Sequence, residues 1–287
     1  MSQTALTIEM LLEKGDALPT LPEIFLKVSE QLDDENSSAQ EIGDTIANDP
    51  AISYKLLTMV NSAYFGLPTE ISSIAQSVSL LGRFRLKQVL IGALLGDVFK
   101  GLDSESFSLQ DFWVHSIRTA IIAKELAASS DHCDEPEVLF TAGLLHDVGR
   151  LILAAQMPEV FQKISERMDR KRIDIVQSEL DIVGLAHTEI GAALMLKWGF
   201  PDLIWVCVKN HHRADYSGPF YNAVNVIYLA NQLAPHVSPE TEDEAFAILD
   251  DIPGWGKTDI SPISICMACK VADYRVVEVM AALGMTE

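Results

Sequence analysis

The chain has 287 residues, 48% hydrophobic and 22% charged, a globular and not a disordered composition. Its 21 lysines and arginines face 41 aspartates and glutamates, a formal net charge of −20. That balance excludes duplex nucleic acid and an anionic membrane as expected partners, because both need clustered basic side chains. The densest basic stretch, Arg83, Arg85 and Lys87, is short and reads as the polar face of a helix. No basic segment precedes the apolar residues of the N-terminus, so no signal peptide is expected. The longest apolar run, Val89 to Gly96, falls far short of the ~20 residues of a spanning helix. Four cysteines suggest reduced thiols and a cytoplasmic location. Cys266 and Cys269 form a CxxC, but no second pair exists and their neighbours are apolar, so they read as core cysteines and not as a zinc knuckle.

Apolar spacing is helical nearly throughout, and strand-like alternation between hairpin turns is absent. Ser38 and Glu41 predict a capping box ahead of Ile42 and Ile46, and Asn48-Asp49-Pro50 closes that helix. Asp49 then predicts the N-cap of the next helix, with Pro50 at its first position and Ile52, Leu56, Met59 and Val60 on one face. Tyr64-Phe65-Gly66-Leu67-Pro68 breaks the pattern. Ile71, Ile74, Val78 and Leu81 resume it, with Ser73 and Gln76 as a second capping box. The expected fold is all-α and multi-helix. Turn-prone residues at Gly101–Ser106 and an acidic stretch without basic residues at Pro235–Gly256, expected as a surface excursion, suggest three parts: 1–105, 106–235 and 236–287. A last helix is expected over about Ile263 to Leu283.

Seven histidines are present, and five fall in patterns that bear on chemistry. His146 and Asp147 are adjacent, as are His211 and His212, while His115 and His187 lie in other helical segments. Imidazole with carboxylate suits Fe, Mn, Zn or Co. A His-Asp pair on one helix would point about 100° apart and grip a metal off the helix flank. A carboxylate can bridge two metals, whereas a neutral imidazole ligates one. Two bridged metals can orient a phosphate and lower the pKa of a bound water. The bland alternative is that these histidines are hydrogen-bonded core or surface residues, and spacing alone leaves both readings open. His132 and His236 read as loop residues.

Leu18-Pro19-Thr20-Leu21-Pro22-Glu23, Ile46-Ala47-Asn48-Asp49-Pro50, Val60-Asn61-Ser62-Ala63-Tyr64-Phe65-Gly66 and Gly143-Leu144-Leu145-His146-Asp147-Val148-Gly149 together resemble the HDOD domain over roughly residues 18–215. The resemblance implies an all-helical relative of the HD metal-dependent phosphohydrolases with a bacterial signalling or regulatory role. The domain is often joined to signalling domains, and here it is expected to stand essentially alone. Carried over residue by residue, the HD pattern implies metal ligands at His115, His146 and Asp147. The closing aspartate falls at Asn231, a neutral and poor ligand. His187, His211 and His212 match the extra ligands with which the HD-GYP branch builds a second metal position. One or two divalent ions (Fe, Mn or Zn) are therefore implied. Arg150 stands where the active branch has a lysine, so it either forks onto a phosphate or pairs with a carboxylate on its own helix face. Arg213-Ala214-Asp215-Tyr216-Ser217-Gly218-Pro219 replaces the Gly-Tyr-Pro loop, which disfavours cyclic di-GMP hydrolysis. Two functions are expected from this. One is a regulatory module with a degenerate metal site and a signalling protein partner. The other is a metal-dependent phosphohydrolase of a nucleotide or other phosphate ester, with Asp147 and Arg150 in catalytic roles.

Overall fold

A computed structural model describes residues 8, 11, 23–62, 67, 69–131, 133, 135–171 and 173–282. The sequence break at Tyr64, Phe65, Gly66 and Pro68, the loop reading of His132, and the segments at Leu18–Pro22 and Leu283 lie outside them. The described residues form 14 α-helices with no strand, so the chain is all-α. They group into two compact units, residues 19–100 with 275–287, and residues 1–18 with 101–274.

The first unit holds α1 (Glu23–Asp33), α2 (Ala39–Ala47), α3 (Pro50–Val60) and α4 (Ile74–Val98). Its helix starts follow the expected capping chemistry. Ser38 Oγ accepts from the Glu41 N–H while the Glu41 carboxylate accepts from the Ser38 N–H, and Asp49 accepts from Ala51 and Ile52 with Pro50 at the first position. Ser73 Oγ accepts from the Gln76 N–H, but Gln76 Oε1 reaches back to the N–H of Ser72, one residue earlier than expected. Ile71 precedes the helix; its N–H and C=O are both held by the Asn61 side chain, at 2.7 and 2.8 Å. Gly82, at φ 78°, breaks α4 into two segments, a conformation that only glycine adopts without strain.

The basic stretch lies on α4, and two of its three cations bind groups of the first unit. Arg83 donates to the carbonyls of Gln31, Asp34 and Ser37, and Lys87 is buried, with Nζ 2.7 Å from Asp33. Carbonyls exposed between α1 and α2 need donors, and two of the three cations supply them or pair the adjacent carboxylate.

The second unit holds α5 (Leu109–Ala128), α6 (Pro136–Leu145), α7 (Val148–Gln156), α8 (Pro158–Lys171), α9 (Ile175–Ile182), α10 (His187–Lys197), α11 (Asp202–Asn210), α12 (Tyr221–Leu233) and α13 (Glu242–Asp250). The residues of α14 (Pro262–Ala282) up to Tyr274 belong with it. α6 is its axis: every residue from Val138 to Leu145 is buried, as expected of a helix apolar all round, and α5, α11 and α12 pack against it. Pro136–Gln156 is long and apolar enough to cross a membrane by length and composition, and 89% of its most apolar window is buried within the protein. The acidic stretch carries a helix where a surface excursion was expected. Thr241 caps α13, three acidic residues occupy its favourable first turn, and Ala245 and Leu249 bury its inner face. Cys266 and Cys269 are buried thiols, and burial pushes the Cys269 thiol up to about 12.

Candidate metal centre

Asp147 is the hub of the second unit, and helix ends place most of what surrounds it. α6 stops at His146 and α7 starts after Asp147, so the adjacent pair sits at a junction between two helices. This differs from the expected grip off one helix flank, because Asp147 has left helical geometry (φ −98°, ψ 6°). His211 is the C-cap of α11, and His187 opens α10. His115 and Asn231 project from helix interiors, those of α5 and α12.

The helix ends also fix the rings. A helix leaves its last carbonyls without intrahelical partners. His146 Nδ1 donates to the Gly143 carbonyl at 2.6 Å, and His211 Nδ1 donates to the Val208 carbonyl at 2.7 Å. A carbonyl can only accept, so each proton is on Nδ1 and each neutral ring turns an Nε2 lone pair inward. Burial pushes His146, His211 and His212 down to about 3, so they are neutral near pH 7, and burial also lowers His115.

All six histidine and aspartate candidates converge. The ligand atoms of Asp147, His187, His211 and His212 lie within 4.8 Å of one another, and so do those of His115, His146 and Asp147. On one side, Nε2 of His187 and His211 are 3.2 Å apart, and they lie 3.2 and 3.3 Å from Asp147 Oδ1. On the other, His115 Nε2 is 3.2 Å from His146 Nε2, 3.0 Å from Asn231 Oδ1 and 4.0 Å from Asp147 Oδ2. Asn231 therefore stands where the expected aspartate would.

Among the described residues, Asp147 Oδ1 is buried without a hydrogen-bond partner. A buried carboxylate oxygen left bare costs several kcal/mol at roughly the upper end of such penalties, and here it faces inward-turned imidazole nitrogens. This donor set fits a divalent metal: His187, His211, His212 and Asp147 would hold one ion, and His115, His146 and Asp147 border a second position. Asp147 Oδ2 is already engaged by Arg150 Nη1 at 2.8 Å. Of the two expectations for Arg150, the structure shows the pairing with a carboxylate one turn away. Burial alone would raise the Asp147 carboxyl, but His146, Arg150, His187 and His211 around it hold it well below the usual carboxylate range.

One residue of the site escaped the sequence reading. Glu179, fully buried on α9, accepts at Oε2 from both the N–H (2.8 Å) and Nδ1 (2.7 Å) of His187. The available signal was a carboxylate four residues after Ile175, on the buried face of α9. Burial would lower His187, but Glu179 and Asp147 outweigh it and raise the ring to about 9. Its Nε2 lies 3.2 Å from both His211 Nε2 and Asp147 Oδ1. His236 lies in an exposed loop, outside the cluster.

The site opens at one edge. Asp147 is 4% exposed, whereas the side chains of His115 and Arg150 are 22% and 29% exposed. A cleft of about 540 Å³ reaches His115 past Asp111, Arg118 and Asp273.

An HDOD domain model matches residues 18–214, and the chain belongs to the HDOD domain family. A protein from Shewanella amazonensis SB2B, assigned provisionally to the phosphohydrolases, is 25% identical. The match covers 95% of this chain and 97% of that one, with a TM-score of 0.77. An HDOD domain protein of unknown function from Geobacter sulfurreducens is also 25% identical, with 96% of each chain covered and a TM-score of 0.69. An uncharacterized protein of Treponema pallidum is 25% identical over 244 residues, which are 85% of this chain and 47% of that protein. The chain therefore spans about half the length of that curated relative.

Proposed function

We propose that this chain is a regulatory HDOD module carrying one divalent metal, held by Asp147, His187, His211 and His212, and acting through a signalling protein partner. The observation that carries this reading is the unequal state of the two Asp147 oxygens. Oδ1 accepts no hydrogen bond of good geometry among the described residues and lies 3.2 and 3.3 Å from the His187 and His211 rings, while Oδ2 is taken by the Arg150 guanidinium. The position beside His115 and His146 is thus short of its carboxylate oxygen and is closed by the neutral Asn231. Two-metal hydrolysis needs both halves charged and filled. When bound, the single ion supplies positive charge and a fixed geometry that ties α6, α7, α10 and α11 together. The loop after His212 supports the same reading. Tyr216 Oη donates to the Pro219 carbonyl at 2.8 Å and Arg213 lies over the Tyr216 ring, so the segment in place of the Gly-Tyr-Pro loop is packed on itself.

The test is metal content of protein purified without a nickel column, for the wild type and Asp147→Ala. One equivalent of iron, manganese or zinc in the wild type and none in the variant is the expected result. Absence of metal after reconstitution of the wild type would overturn the reading.

A second reading, a metal-dependent phosphohydrolase, is favoured by the open edge, where His115 and Arg150 reach solvent, and by the provisional assignment of the Shewanella relative. There Arg150 would leave Asp147 and fork onto the phosphate, and His115 and His146 would border the reacting group. Asn231→Asp tests it: protein carrying two metals that still fails to hydrolyse a generic phosphodiester would exclude it.

A further inference from the structure

Glu179 belongs to neither group of candidate ligands, yet it is fully buried and spends one oxygen on two atoms of His187. We propose that Glu179 is the positioning residue of the metal centre. Its carboxylate locks the His187 ring with Nε2 toward Asp147 Oδ1 and supplies the net negative charge that a divalent cation meets at this position. The inference rests on the one-metal reading above and deepens it.

Helix direction explains why a carboxylate is needed here. His146 and His211 end their helices, so each finds an acceptor in the carbonyl three residues back. His187 opens α10, where backbone N–H groups and not carbonyls point outward. Its Nδ1 therefore has no helix carbonyl to bind, and α9 delivers Glu179 instead. Because Oε2 takes the backbone N–H as well as Nδ1, the carboxylate fixes the ring and the start of α10 with one contact point.

Charge gives the second reason. Asp147 and Arg150 are paired and offset each other, and the remaining candidate ligands of this half are imidazoles. A divalent ion entering that set alone would be poorly compensated in a buried site. Glu179 contributes the missing anion through His187, and among the described residues its Oε1 has no hydrogen-bond partner. A carboxylate behind a ligating histidine makes the ring a stronger donor, and its loss costs roughly 10- to 100-fold in metal affinity.

The probe is Co²⁺, titrated into metal-free wild type, Glu179→Gln and Glu179→Asp, with binding and the visible absorption of the bound ion recorded together. Glutamine keeps the shape and one accepting oxygen while removing the charge. We expect Glu179→Gln to bind Co²⁺ about 10- to 100-fold more weakly with a shifted visible band, and Glu179→Asp to recover part of both. Wild type and Glu179→Gln agreeing within about threefold, with superimposable spectra, would overturn the inference and leave the one-metal reading standing. Wild type that binds no Co²⁺ would overturn both. If the variants do not fold, imidazole NMR of the Zn²⁺-loaded wild type decides. A hydrogen-bonded Nδ1–H on His187 with the metal at Nε2 supports the proposal, and ligation through Nδ1 overturns it.

Discussion

Arg150 Nη1 lies 2.8 Å from Oδ2 of Asp147, one turn back at the junction of α6 and α7, while the other oxygen of the same carboxylate has no hydrogen-bond partner among the described residues. One side chain is thus split between an internal cation and an open coordination position. Replacing Arg150 by glutamine should free Oδ2 and raise the affinity of the His115 side for a metal, read as a second equivalent of Mn²⁺ in elemental analysis. The metal-free variant should lose roughly 1–3 kcal/mol of stability in urea melts, less than a fully buried broken pair costs, because the guanidinium is partly exposed.

The two sides should respond differently to loss of a histidine. His211→Ala removes a ring bound through Nδ1 to its own helix and facing Asp147 Oδ1, and it should abolish metal retention on gel filtration. His115→Ala, on the side closed by Asn231, should leave about one equivalent bound. Equal loss in both variants would contradict the asymmetry.

Acid should destabilise the metal-free protein. His146, His211 and His212 sit at about 3 when folded, against 6.5 as the ordinary value. Between those values the unfolded chain takes up protons that the folded chain does not, so stability falls as pH drops from 6.5 toward 3. His187 has the opposite sign. Raised to about 9, it contributes stability that is complete below 6.5 and is lost as pH rises through 9. The melting temperature of the metal-free protein should therefore peak near pH 6.5 and fall more steeply on the acid side.

Gly149 lets α7 touch the start of α10: a Cβ there would collide with the His187 carbonyl and reach within 3.0 Å of the Gly191 N atom. Both are backbone atoms and cannot turn aside. Gly149→Ala should cost about 3 kcal/mol or more and displace His187. Thermal unfolding of metal-free protein and Co²⁺ retention should fall together, whereas a change in melting alone would show that His187 keeps its place.

The helices and many of their ends were legible in the sequence because their determinants are local. Ser38 with Glu41, and Asp49 with Pro50, act within one turn, so four adjacent letters state the geometry. The apolar steps Ile71, Ile74, Val78 and Leu81 are all buried as spaced. Thr241 before Glu242-Asp243-Glu244 carried a helix start of the same local kind, but the run of acids masked it as a surface excursion. Gly82 was less legible, since a positive φ at one glycine leaves no periodic mark on either side.

Residue identity alone determined that this chain is all-α, strongly acidic, and equipped with imidazole and carboxylate of the types that hold a divalent metal. Tertiary structure decided which of them meet and in what state. His115, His146, His187 and His211 come from four helix positions up to 96 residues apart, and only packing brings their nitrogens within a few ångströms. The pairing of Arg150 with Asp147 was one of two options open to the same letters. The bond from Glu179 to His187 joins two helices through a buried contact that no spacing rule encodes. Helix propensity and capping depend on neighbours a few residues away, whereas hydrogen-bond partners and charge states are set by burial, which depends on the whole fold.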